Sequence, residues 1–227
     1  MQNYNSTSDR IITAKGLQEA SLSFAVVVIP EPPLRAQIIT TSVAIARRFQ
    51  SRNIIDGEMY PPHLSLYMGG TDPEFVEDLR KGLYAAVQPH VSATLVADQL
   101  YHEPGGFIAV SCAQDHSLIS FARSVIDVCG RFHRKQPRYR PRVLARWPQL
   151  PPAHKELVKV YGTDKFPPSW QPHFSVADVD EEHTFAALHI AEMHLSLPQL
   201  FSISAIELVD IGPNNERWLT LERWPAK

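Results

Sequence analysis

Short unbroken apolar runs alternate along this chain with stripes at helical spacing, and the punctuation between them is supplied by proline and glycine. Phe24-Ala25-Val26-Val27-Val28-Ile29 is β-rich throughout and ends at Pro30, the pattern of a strand buried on both faces. Pro32-Pro33 opens a helix, with Leu34, Ile38, Ile39, Ala44 and Ile45 running toward Phe49 and with Arg47, Arg48 and Arg52 near its C-terminal end. The next run, Pro62-His63-Leu64-Ser65-Leu66, alternates polar and apolar positions and is closed by Gly69-Gly70. Thr71-Asp72-Pro73-Glu74 starts a helix to about Val87, with Asp or Thr as cap and proline in the first turn. Ala93 to Tyr101 and Phe107 to Cys112 flank Glu103-Pro104-Gly105-Gly106, which predicts a hairpin. Asp115 begins a further helix with Leu118, Ile119, Ala122, Ile126 and Cys129 in a stripe, so the first half reads β-α-β-α-β-β-α.

From Arg131 to Lys159 the character changes. Nine Lys or Arg residues stand against one acid, Glu156, among five prolines. Two readings are open: a solvated, loosely ordered loop, or a flap that neutralises phosphates. A short helix, Ala153 to Tyr161, ends at Gly162. Phe166-Pro167-Pro168-Ser169-Trp170-Gln171 leads to the run Pro172-His173-Phe174-Ser175-Val176. A helix over Asp178 to Leu195, a strand over Phe201 to Ile211, the turn Gly212-Pro213-Asn214-Asn215 and a last strand over Trp218 to Glu222 complete the chain.

The two Pro-His-Φ-Ser-Φ runs (Φ apolar) lie 110 residues apart and carry the chemistry. On a strand, residues two apart share a face, so each run presents one imidazole and one hydroxyl while its apolar neighbours enter the core. With 10 His and 17 Ser, His-x-Ser alone occurs about once by chance. The full frame is expected in roughly one chain in a hundred, so two copies are a strong signal. His194-Leu195-Ser196 is the control: it follows Met193 near the end of a helical stretch, where residues two apart do not share a face.

Composition narrows the class. At 227 residues, 44% hydrophobic and 20% charged, the chain is of ordinary globular type, one domain or two closely joined lobes. A net charge of −2 supplies no global attraction to nucleic acid or membrane. Two cysteines, Cys112 and Cys129, make no disulfide scaffold, Met1 to Arg10 lack an apolar signal core, and the run Phe24 to Ile29 is too short to span a bilayer. The expectation is a cytoplasmic monomer without membrane contact.

Two His-x-Ser motifs in strands about a hundred residues apart resemble those of the 2H phosphoesterase superfamily, which includes RNA 2′-5′ ligase-like proteins and 2′,3′-cyclic phosphodiesterases. The resemblance covers residue 21 onward and implies an α+β fold of two lobes. Two mostly antiparallel sheets would face a central cleft, with helices outside. Residues 1–20 are then an N-terminal arm or tail, 21–227 one bilobal domain, and about 131–159 its basic flap. The resemblance also implies a phosphodiester substrate, either a cyclic-phosphate nucleotide or an RNA end.

One imidazole on each cleft wall suits that reaction: the neutral one takes a proton from water and the protonated one gives a proton to the departing alkoxide. His63 and His173 are therefore the candidate acid–base pair, and which of them is the base depends on whether the 2′ or the 3′ oxygen leaves. Ser65 and Ser175 sit roughly 6–7 Å along the strand from their own His, too far for direct deprotonation. They are read as donors to nonbridging phosphate oxygens. No metal or other cofactor is required, and His183, His189 and His194 lack the i, i+4 spacing of a helical zinc site. Tyr60, Tyr67, Phe166 and Trp170 are candidates for stacking on a base, and Arg138, Arg140 and Arg142 for further phosphate contacts. Alternatives are the same site run backwards as a 2′-5′ RNA ligase, or a nucleotide- or RNA-binding module without turnover.

Overall fold

The structure, a computed structural model, describes residues 17–165, 167 and 170–226. Its strands are β1 Leu22–Pro30, β2 Leu64–Thr71, β3 Thr94–Glu103, β4 Phe107–Cys112, β5 His173–Asp178, β6 Gln199–Asp210 and β7 Leu219–Pro225. Its helices are α1 Leu34–Arg48, α2 Val76–Val87, α3 His116–Lys135, α4 Pro141–Arg146, α5 Pro152–Tyr161 and α6 Thr184–His194. The local reasons are those the sequence advertises. In α1, Leu34, Ile38, Thr41, Ser42 and Ile45 make one buried stripe, and α3 starts where the Asp115 carboxylate accepts from the Leu118 N–H at 2.8 Å.

All pairings among these seven strands are antiparallel, and the strands run β1-β2-β5-β4-β3-β6-β7 with a further β1–β6 pairing that closes the first six into a ring. Two successive halves, β1-α1-β2-α2-β3 and β4-α3-β5-α6-β6, exchange their last strands: β3 adds beside β4, and β6 adds beside β1. The expected two separate sheets are thus one continuous hydrogen-bonded sheet. The twelve residues of β6 join its parts, Gln199–Ser202 pairing with β3 and the stretch from Ile203 to Asp210 with β1. On the other side the parts meet in a single pair, Leu64 opposite Phe174.

The two faces of the sheet differ. Phe24, Val26, Val28, Leu64, Leu66, Phe174 and Val176 enter the main core beneath the helices. On the other face Ala25, Val27, Ile29, Ala205, Val209 and Ile211 form a small cluster completed by Met68 and Trp218, with no helix residue in it. Residues 137–162 are not a loose loop. Pro141 and Pro152 stand in the first turns of α4 and α5, where a missing N–H costs nothing. Tyr139, Val143, Leu150 and Val158 close a separate small core with Leu17. The described end of the N-terminal arm is bound here, Ala20 N–H donating to Tyr139 O and Tyr139 N–H to Gln18 O, both at 2.9 Å. No helix among the described residues is long and apolar enough to cross a membrane.

Candidate active site

His173 begins β5 and His63 immediately precedes β2. In both runs the apolar positions are fully buried and His and Ser half-buried, which is the alternation of a strand with one open face. Antiparallel pairing at Leu64 and Phe174 sets His63 across from Ser175 and Ser65 across from His173. The four polar side chains therefore leave the same face of the sheet, the one that carries Val27 opposite Ser65. The next ladder adds Ser111 opposite His173 and Ala109 opposite Ser175.

The same device ends both runs. Val27 and Val26 pair with Ser65 and Tyr67, leaving Leu66 as an extra bulged residue; Ala109 and Ile108 pair with Ser175 and Ala177, leaving Val176. A bulge reverses the face that the following residue presents. Each strand thus offers one His and one Ser to the open face and then turns its next side chain into the core.

Each imidazole is oriented alike. His63 Nδ1 lies 2.9 Å from Pro61 O, and His173 Nδ1 2.9 Å from Gln171 O. A carbonyl can only accept, so Nδ1 carries the hydrogen and Nε2 is the nitrogen left for chemistry. The His63 ring lies 4.6 Å from Trp218 and 6.4 Å from Tyr60 between centroids, and His173 meets the edges of Phe107 and Tyr101 at 5.5 and 6.4 Å. Burial drives the His63 pKa down to about 4 against the lift from Pro61 O, and the neighbouring His173 lowers it further. Burial also lowers His173, while Gln171 O and the Glu103 carboxylate oppose the shift and Lys165 adds to it. Two hollows flank the site. One of about 490 Å³ is lined by Tyr60, Trp218 and Arg217 beside His63, and one of about 650 Å³ by Tyr101, Ser111 and Pro172 beside His173.

No family model matches the chain, and no curated protein matches it. Solved structures do. TT0787 of Thermus thermophilus is 12% identical, with a TM-score of 0.55 over 90% of this chain and 98% of its own. E. coli LigT complexed with 3′-AMP is 14% identical, with a TM-score of 0.50 over 92% and 99%. A structure described only as a phosphoesterase is also 14% identical, with a TM-score of 0.50 over 91% and 99%. This is the fold of the 2H phosphoesterases.

Within the 2H fold the remaining candidates separate. Tyr60 stays at the site, its ring near His63 and its hydroxyl donating to Asn215 O. Tyr67 does not: the bulge at Leu66 turns it inward, where it is 4% exposed and donates to Tyr161 O at 2.6 Å. Trp170 is equally buried, and its Nε1–H reaches Ser65 O at 3.2 Å, tying the lead-in of one run to the other rather than forming a stacking surface. Phe166 lies outside the described residues. Arg138 is consumed by an ion pair with Asp72, and Arg140, 4% exposed, donates to the side-chain oxygen of Asn215. Only Arg142 of the three arginines is exposed. Trp218, Tyr101 and Lys165 were not marked by any local signal. Trp218 reaches His63 because β7 folds back along β6, and Tyr101 reaches His173 because β3 lies two strands away.

Proposed function

We propose that this chain is a metal-independent phosphodiesterase that opens 2′,3′-cyclic phosphates or related nucleotide and RNA-end diesters by two-histidine acid–base catalysis. The observation that carries the proposal is the seam at Leu64 and Phe174, which sets two His/Ser pairs side by side on one open face. A diester phosphorus above that seam has an imidazole Nε2 toward each side. His63, whose pKa burial drives down to about 4 and for which no carboxylate among the described residues opposes that shift, is the base that takes the proton of the attacking water. His173, with the Glu103 carboxylate near, holds the proton that goes to the departing alkoxide. Arrival of a phosphate anion raises both imidazoles, which makes a protonated His173 available near neutral pH. Ser65 and Ser175 donate to the nonbridging oxygens as charge builds on them. E. coli LigT, of the same fold, holds 3′-AMP in its crystal structure, a nucleoside monophosphate of the kind this reaction releases.

The test is incubation with the four 2′,3′-cyclic mononucleotides in excess EDTA, with 2′- and 3′-monophosphates separated as products. A single phosphate isomer, formed at a rate unchanged by the chelator, is expected. Failure to open any cyclic phosphate, or a strict divalent-metal requirement, overturns the proposal.

A further inference from the structure

The hollow beside His173 has a chemistry of its own. Its walls carry three side-chain amides, Gln99, Gln114 and Gln171, and two carboxylates, Asp98 and Glu103, and no lysine or arginine among the described residues lines it. A bulge shapes it: Ala97 pairs with Cys112 and Leu100 with Val110, so Asp98 and Gln99 together face Ser111. The Ser111 hydroxyl spans that irregularity, 3.3 Å from Gln99 N and 3.2 Å from Gln99 O. Pairing is thereby spent on the backbone, and the Asp98 and Gln99 side chains stand exposed at the rim. Tyr101 lies in the same wall. Its hydroxyl is shielded from solvent and has no hydrogen-bond partner among the described residues, a condition buried polar groups rarely tolerate. Cys112 is no competing nucleophile here, since burial pushes its thiol far up.

Taking the phosphodiesterase reading as its basis, we infer that this hollow is a subsite for an uncharged nucleoside: ribose hydroxyls and a base bearing an amino group, on the His173 side of the phosphorus. Two carboxylates with no lining cation repel a phosphate chain and accept from N–H and O–H donors. The amides offer the complementary donors and acceptors, and the volume of about 650 Å³ falls within the range of small-molecule sites. The phosphodiester charge stays over the seam, and what lies beyond it on this side is neutral. Substrates are thus selected for a nucleoside, and against a second phosphate, at this position.

Binding tests the subsite without turnover. Adenosine, which has no phosphate to cleave, is titrated into the full chain while the side-chain amide resonances of Gln99, Gln114 and Gln171 are followed, and tripolyphosphate is the counter-probe. Adenosine is expected to shift these amides, and tripolyphosphate is expected not to. Asp98→Lys is expected to weaken adenosine about tenfold and to admit tripolyphosphate. Gln99→Leu, at an exposed side chain of the same wall, is expected to weaken adenosine with no loss of thermal stability. Tripolyphosphate shifts in the unaltered chain, an adenosine response confined to other residues, or identical adenosine binding in both variants each overturn the subsite. None of these outcomes depends on hydrolysis, so the subsite and the phosphodiesterase reading fail separately.

Discussion

At the scale of the residue, the account rests on two imidazoles held in one tautomer and driven to low pKa. A base that must be neutral loses activity as pH falls through the His63 pKa of about 4, and an acid that must be protonated loses it as pH rises through the His173 pKa, which lies below 6.5. The kcat/KM profile of the free protein is therefore expected to be bell-shaped with its maximum on the acid side of 6.5. A maximum above about pH 7, with chemistry limiting, contradicts the acid–base assignment. Both His/Ser pairs were legible from the sequence, because alternation around a buried Leu64 or Phe174 is a local property. The fate of Tyr67 was not. It depends on which residue of β1 faces it, and the bulge at Leu66 appears only when the two strands pair.

At the scale of the element, the loop between β6 and β7 governs how His63 is walled. Asn215, at φ 65°, is the non-glycine residue in a left-handed conformation among the described residues. Its side chain accepts from the buried Arg140, its carbonyl accepts from Tyr60, and the strand that follows begins beside Trp218. Asn215→Gly keeps the backbone but strips Arg140 of its acceptor, which costs about 1–3 kcal/mol. Asn215→Ala adds roughly 1 kcal/mol or more of backbone strain. Chemical denaturation should rank stability as unaltered chain, then Gly, then Ala; an Ala variant as stable as the unaltered chain contradicts this role for the loop. The turn itself was visible in Gly212-Pro213-Asn214-Asn215, whereas its partner 75 residues upstream was not. The stretch after Arg131 was harder still. Its prolines read as loop signals, yet two of them open helices, and the apolar positions that close its core are spaced across three short elements.

At the scale of the whole molecule, the exchange of β3 and β6 between halves ties both into one sheet, a contact between distant segments that no local pattern encodes. The order of elements was readable; the closure of six strands into a ring was not, because it depends on β6 pairing with partners at both ends. Since neither half keeps its own last strand, thermal unfolding is expected to be a single transition, with calorimetric and van't Hoff enthalpies equal. Two separable transitions would contradict the interleaving. The seam that brings His63 and His173 onto one face exists only in the assembled sheet, so the proposed activity belongs to the whole fold. The most direct measurement is hydrolysis of a 2′,3′-cyclic nucleotide by His63→Ala and by His173→Ala, alongside thermal melts. The account predicts that each variant melts as the unaltered chain does and loses at least about 10²-fold in kcat. Full activity in either variant, with the fold intact, would contradict it.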